Sequence, residues 1–240
     1  MIESIRKAVS NSKIGVAFSG GVDSSLLAKL CTDLGYDTTL LTIGIEGSHD
    51  IKFSKEIAKL FGYKHRIEKI SPTMFSKIAN HIRETIESDN LSWLENCIAF
   101  YHVSKLAKTH GIERVLTANG IDELFCGYNA YREAIKKGED EVLTLMKSKL
   151  ENEINMMKAV NKISSEFGIQ IVQPFLSTDL VNFSMQIPIS EKIHGPDDLI
   201  RKHMIRKLAI AIGVPKEAAL KRKKALQYGS LIHKTLIKLN

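Results

Sequence analysis

Ile14-Gly15-Val16-Ala17-Phe18-Ser19-Gly20-Gly21-Val22-Asp23-Ser24-Ser25 passes from an apolar run into a pair of glycines and then into hydroxyl and acidic side chains. The apolar run reads as a short buried strand. Leu26, Leu27 and Leu30 follow at helical spacing. The stretch is therefore a strand-to-helix turn. Two glycines let the backbone fold tightly and bring successive N–H groups toward a ligand. Ser24 and Ser25 place hydroxyls beside a helix N-terminus, where free N–H groups and the helix dipole favour an anion. A carboxylate at Asp23 does not suit a pure anion trap. It makes sense with a divalent cation between it and a phosphate. The combination points to a nucleotide polyphosphate with Mg2+. The structural alternative is a Gly-Gly turn with an Asp-Ser-Ser helix cap.

No lysine follows the glycines, so this is not the GxxxxGK[ST] loop, and it is not GxGxxG. The string Ser19–Ser25 resembles the PP-loop of the ATP pyrophosphatases. That superfamily cleaves ATP to AMP and pyrophosphate while adenylating a substrate.

Composition sets the bounds. The 240 residues suffice for one large domain or two small ones, and 44% hydrophobic with 25% charged residues describes an ordinary globular chain. No apolar run approaches the roughly 18 residues of a membrane span, and the first residues lack the apolar core of a signal peptide. Cys31, Cys97 and Cys126 are too scattered for a disulfide framework or a CxxC metal site, so a reducing cytoplasm is expected. The eight histidines show no HxxxH or HExxH spacing, and no zinc site is expected. A net charge of +7 permits nucleic-acid binding without requiring it, because a polyphosphate substrate also favours a positive field.

Outward from the loop, strands and helices alternate. Residues 2–10 read as an amphipathic helix, and the helix after the loop ends near Gly35. Thr38–Gly44 reads as a second strand and Lys64–Glu68 as a third, edge-like one. Asp50 is the expected cap of a helix stopped at Gly62, and Pro72 suits the first turn of the next. A helix over 91–108 leads to a fourth strand, Arg114–Ala118. Ile169–Val172 is a candidate fifth strand. Residues 139–163 form a long helical pattern with Leu143, Met146, Leu150, Ile154, Met157 and Val160 apolar. The expected fold is α/β, a doubly wound parallel sheet of about five strands with a helical C-terminal extension. One domain over 1–240 is the simplest organisation, with a nucleotide-binding part at 1–126 and a mostly helical part at 127–240. Ligands in such sheets bind beyond the carboxyl ends of the strands, at the switch in strand order.

Asn119-Gly120-Ile121-Asp122-Glu123-Leu124-Phe125-Cys126-Gly127-Tyr128 lies at such an end. Adjacent carboxylates there repel unless a cation is near. The run, with Tyr131 after it, resembles the GxGxDELFGGY signature of the synthetase domain of asparagine synthetase and its relative β-lactam synthetase. Gln173-Pro174-Phe175-Leu176 resembles that family's R-x-PFLD segment. Lys202–Arg206 resembles its K-xx-LR helix and Arg222-Lys223-Lys224 its R-x-K element. Gly44–Ser48 with Asp50 resembles the segment after its second strand. The matches run in order from about residue 14 to residue 230.

The resemblance implies an adenine nucleotide alpha hydrolase-like fold and an amide-forming ligase of asparagine and amino-acid metabolism that uses ATP and Mg2+. Ser19, Gly20, Gly21, Val22, Asp23, Ser24 and Ser25 would hold the pyrophosphate part of ATP, with Gly120 beside them. The backbone near Ile43 would meet adenine, and Asp23 and Asp122 would bind Mg2+. Lys224 would stabilise charge at the α-phosphate, with Asp122, Glu123 and Arg222 completing the catalytic set. Three departures lie in the acceptor part: Asn119 replaces the family glutamate, Gln173 its arginine, and Ser177 the acid after PFL. They leave the acceptor open. Ile2 rather than a nucleophilic cysteine follows Met1, so free ammonia, another amine or a separate glutaminase chain is the expected amine source. A homo-oligomer is admitted, and no membrane partner is expected. Two rival readings stand beside the ligase: a tRNA- or metabolite-modifying PP-loop enzyme, for which the basic cluster at 201–207 and 221–224 offers a surface but sparse aromatic residues, and a non-catalytic ATP-binding module. His65, Glu95 and Asn96 have either substrate or plain surface roles, and Trp93 reads as core.

Overall fold

The computed structural model describes residues 1–10, 12–221 and 226–238. Five strands, β1 (Lys13–Ala17), β2 (Asp37–Ile45), β3 (Lys64–Ile70), β4 (Arg114–Leu116) and β5 (Gln170–Val172), form one sheet in the order β3-β2-β1-β4-β5. Every pairing is parallel, with Val16 opposite Leu40 on one side and Leu116 on the other. The order reverses between β1 and β4. The loops that leave those two strands therefore open the crevice at the switch point. β3 is the edge strand foreseen from its charged residues. β5 comes from the second half of the chain, so that half completes the sheet rather than only extending it.

The helices are α1 (Ile2–Ala8), α2 (Val22–Asp33), α3 (His49–Phe61), α4 (Pro72–Ile86), α5 (Leu91–Thr109), α6 (Ile121–Leu124), α7 (Ala130–Ala134) and α8 (Glu139–Ser165). Then follow α9 (Thr178–Gln186), α10 (Ile189–Lys192), α11 (His203–Ala211), α12 (Lys216–Ala219), α13 (Leu226–Gly229) and α14 (Ile232–Ile237). Successive strand residues point to opposite faces, which splits the core into two layers. Val16, Leu40, Leu116 and Val172 pack with α1, α2, α3 and α11. Leu41, Val115 and Ile171 pack on the other face with α4, α5, α8 and α14.

Local signals explain most boundaries. Gly62 ends α3 in the left-handed conformation at φ 69°, and Pro72 opens α4. Asn90 Oδ1 accepts the Trp93 N–H at 3.2 Å and caps α5. Two expectations need correction. Ser48, not Asp50, is the residue before α3, and Asp50 lies buried inside the first turn. On α8, Ile154 is exposed while Glu153 is buried, so the inward stripe runs through Met146, Glu153, Met157 and Val160. Periodicity alone assigned the inward position to the apolar neighbour. Trp93 is half-buried, with its indole N–H donating to Asn152 Oδ1 at 3.1 Å. Among the described residues no helix is long and apolar enough to cross a membrane.

Candidate active site

The loop after β1 is built around hydroxyl-to-backbone bonds. Gly20 adopts φ 81°, and a Cβ there would meet the Ser54 Cα at 3.2 Å, so a side chain would be both strained and crowded. Ser24 Oγ donates to Gly21 O at 3.2 Å and accepts the Ser19 N–H at 3.4 Å. Ser25 Oγ donates to Gly20 O at 3.3 Å. These bonds fix the turn while the first N–H groups of α2 keep no intrahelical acceptor, an anion-favouring arrangement. Behind the loop, Thr42 Oγ1 donates to Phe18 O at 2.6 Å and lies 2.8 Å from His65 Nε2. With the hydroxyl hydrogen spent on Phe18 O, Nε2 is the donor to Thr42. Burial, reinforced by Lys55, lowers the His65 pKa to about 4. This histidine is thus a neutral strut under the loop.

The second motif meets the first across the crevice. Gly120 takes φ 103° and its N–H donates to Glu123 Oε2 at 3.1 Å. Tyr128 donates to Glu123 Oε1, and Tyr131 donates to Glu123 O at 2.9 Å. The Tyr128 hydroxyl has its pKa pushed well up by burial and by the neighbouring Glu123, Asp122 and Glu153 carboxylates, so it stays a donor. A Cβ on Gly127 would fall 1.7 Å from Asp122 Oδ1, so only glycine lets the chain close over this carboxylate.

Asp23 and Asp122 converge on one cation. Lys202 Nζ lies 2.6 Å from Asp23 Oδ2 and 3.0 Å from Asp122 Oδ1. The lysine is 1% exposed, whereas the acids keep 21% and 19% exposure toward the crevice. Burial opposes the ammonium, but Asp122 and Asp23 outweigh it and raise its pKa above the ordinary lysine value. Arg206 is also buried. Its guanidinium donates to the carbonyls of Arg201, Ala219, Lys221 and Ile200 at 2.9, 2.5, 3.0 and 3.1 Å. It clips the stretch before α11 to the stretch after α12. Arg201, Lys202 and Arg206, read from the sequence as part of a basic cluster available to tRNA, are therefore interior groups with assigned acceptors.

A cleft of about 300 Å3 lies over both loops. Ser19, Gly21, Val22, Asp23, Ser24, Ile43, Asp122 and Glu123 line it. Gly20, Ser25 and Gly120 stand behind the wall and shape the loops instead. Arg222 and Lys224 lie outside the described residues, but Lys221 before them and Leu226 and Gln227 after them line the cleft. Lys221 Nζ sits 3.3 Å from the Phe53 ring centroid. Asn96 lines the cleft, whereas Glu95 is buried and its Oε1 lies 2.5 Å from His233 Nδ1.

Several cleft residues escaped the sequence reading. Asn119 Nδ2 donates to Glu153 Oε1 at 2.5 Å, and Thr117 donates to Asn119 Oδ1. A buried carboxylate from α8 thus stands against the asparagine that replaces the family glutamate. The signal was present, since Glu153 sits on the apolar stripe of its helix at heptad spacing from Met146. Lys149, Asn152 and Asp50 line the cleft as well. Burial pushes the thiols of Cys31, Cys97 and Cys126 up to about 12, which removes them as nucleophiles.

A family model described as asparagine synthase matches residues 2–158 and 140–238. A Methanocaldococcus jannaschii protein named as a glutamine-hydrolyzing asparagine synthetase is 31% identical over 265 aligned positions, covering 95% of this chain and 47% of its own. Asparagine synthetase 1 (glutamine-hydrolyzing) of Arabidopsis thaliana is 28% identical over 214, covering 85% of this chain and 36% of its own. The chain spans less than half the length of these relatives. Among solved structures, NMN synthetase from Francisella tularensis aligns with 95% of this chain and 72% of its own at a TM-score of 0.51 and 14% identity. That likeness concerns the fold, which is of the adenine nucleotide alpha hydrolase class.

Proposed function

This chain belongs to the asparagine synthase family, and from that premise we propose that it is an ATP-dependent ligase that adenylates a substrate carboxylate and passes the acyl group to an amine. The observation that carries the reading is the convergence of Asp23 and Asp122, from the two loops at the switch point, on a single cation position at the cleft. Two carboxylates from separate loops, each partly exposed, suit a hard divalent ion. Held by Asp23 and Asp122 on their exposed side, with the Lys202 ammonium behind them, Mg2+ would neutralise charge on the triphosphate.

The chain's own groups divide the remaining work. The loop after β1 and the N-terminus of α2 cradle the pyrophosphate part of ATP, and Ile43 borders the adenine side. A substrate carboxylate oxygen attacks the α-phosphorus and the bond to pyrophosphate breaks. Lys224, with Arg222 near it in sequence, meets the charge that develops there; the cleft position of Lys221, Leu226 and Gln227 supports this. An amine then attacks the acyl carbon, AMP leaves with the shared oxygen, and the nitrogen must lose a proton. We assign that proton to Glu153, which lines the cleft and accepts the Asn119 amide. Glu123 holds its loop through Gly120 and Tyr128 and acts as a positioning residue. The relatives are named for glutamine hydrolysis; for this chain we propose ammonia or another free amine. Three free buried cysteines suit a reducing cytoplasm.

The test is product analysis with ATP, Mg2+, ammonium and a panel of carboxylates. AMP and pyrophosphate should form in equal amounts with one class of carboxylate, whereas ADP and phosphate would overturn the reading. Glu153→Gln should retain pyrophosphate release and lose amide formation by about 10²-fold or more, the usual scale for a general base.

A further inference from the structure

Outside the cleft, His194, Asp198 and His203 bring one ligand atom each to within 4.8 Å of one another, the one such trio among the described residues. The two imidazoles stack at 3.6 Å between centroids and 10° between planes. His203 Nε2 lies 2.7 Å from Asp198 Oδ2. His194 belongs to the stretch after α10, and His203 is the first residue of α11. Sequence spacing gave no hint, because helical HxxxH rules do not cover ligands carried on a loop.

The bland reading is an Asp–His pair that tethers the start of α11. It leaves the second imidazole unexplained, since His194 is exposed and yet its ring lies flat on its partner. The loop is also held open-handed. Asp198 Oδ1 accepts the N–H groups of Ile200 and Arg201 at 3.0 and 2.9 Å, and Oδ2 accepts that of His194 at 3.0 Å. Arg132 Nε donates to Pro196 O at 2.6 Å. The carboxylate is fixed before any ligand arrives.

We propose that His194, Asp198 and His203 form a site for a borderline transition-metal ion of the zinc class, distinct from the all-oxygen pair at the cleft. Two imidazoles and one carboxylate suit Zn2+ or Co2+ and poorly suit Mg2+. Solvent reaches the exposed His194 side, which leaves the remaining positions to water. The ion would turn the two rings out of their parallel stack until a nitrogen of each faces it, replace the His203–Asp198 hydrogen bond, and cross-link the stretch after α10 to the start of α11. Lys202, whose ammonium bridges Asp23 and Asp122, is the residue immediately before that start. The site thus fixes the backbone from which Lys202 reaches into the cleft.

The experiment uses the untagged chain. Co2+ is titrated while its visible absorption is followed, and binding of Zn2+ is measured by calorimetry. One ion per chain should bind, with thermal stability rising. His194→Ala, at an exposed position, should fold normally by circular dichroism and lower the affinity by at least tenfold, on the scale of losses typical at metal sites. His203→Ala should do the same, and Asp122→Asn should leave the cobalt spectrum unchanged. Absence of micromolar binding, binding that survives the double histidine variant, or a signal lost in Asp122→Asn would each overturn the proposal.

Discussion

Lys202 is the residue on which the two halves of the site depend. Its ammonium bridges Asp23 and Asp122, and the side chain is buried. Removing one member of a buried charge group strands the others. Lys202→Met should therefore destabilise the chain by about 3 kcal/mol, read from urea denaturation. The pH dependence has a definite sign. A lysine whose folded pKa is raised contributes fully below its unfolded value near 10.5 and loses that contribution only as pH rises through the higher folded value. The deficit of the variant should then be flat across neutral pH and shrink in alkali, as the pH passes from the unfolded value near 10.5 through the higher folded one. A variant as stable as the parent at pH 7 would mean the trio contributes nothing. Lys202 also marks a limit of sequence reading. Its charge and its neighbours Arg201 and Arg206 describe a solvated basic run, and only tertiary placement turns them inward. Asp23, with its two flanking glycines and serines, was legible because the local turn itself constrains which residues fit.

At the level of elements, the parallel sheet was legible because strands alternate with helices and several helices stop at glycine. Strand ends shifted by one or two residues, and β4 proved to be three residues long. The role of α8 was not legible. It delivers Glu153, Asn152 and Lys149 to the cleft; a carboxylate on the apolar stripe marks Glu153 in the periodicity, but which loop it meets is set by contacts between residues far apart in the chain. Lys221, after α12, and Leu226 and Gln227, in α13, are other long-range contributors that border the cleft. Lys224→Ala should accordingly lower kcat by about 10²–10³, the usual loss of one electrostatic group acting on transition-state charge, with little change in ATP affinity. Lys223→Ala should have a much smaller effect, because adjacent side chains point in different directions. Single-turnover adenylation rates for both variants are the measurement. Equal and mild losses would remove Lys224 from the reaction.

For the whole molecule, the architecture brings residues from loops about a hundred positions apart to one crevice, which residues of α2, α5 and α8 also line. Family membership was legible from motifs strung along most of the chain. The acceptor was not, because Asn119, Gln173 and Ser177 depart where the family's substrate contacts would lie, and the carboxylate beside Asn119 comes from another helix. The central claim is that a substrate carboxylate oxygen becomes bonded to the α-phosphorus of ATP. It is tested most directly by supplying an active carboxylate labelled with 18O and recovering the nucleotide after turnover with ammonium. The account predicts one labelled oxygen in AMP, left there when the amine displaces the acyl group. Label in inorganic phosphate, or AMP without label, would contradict it.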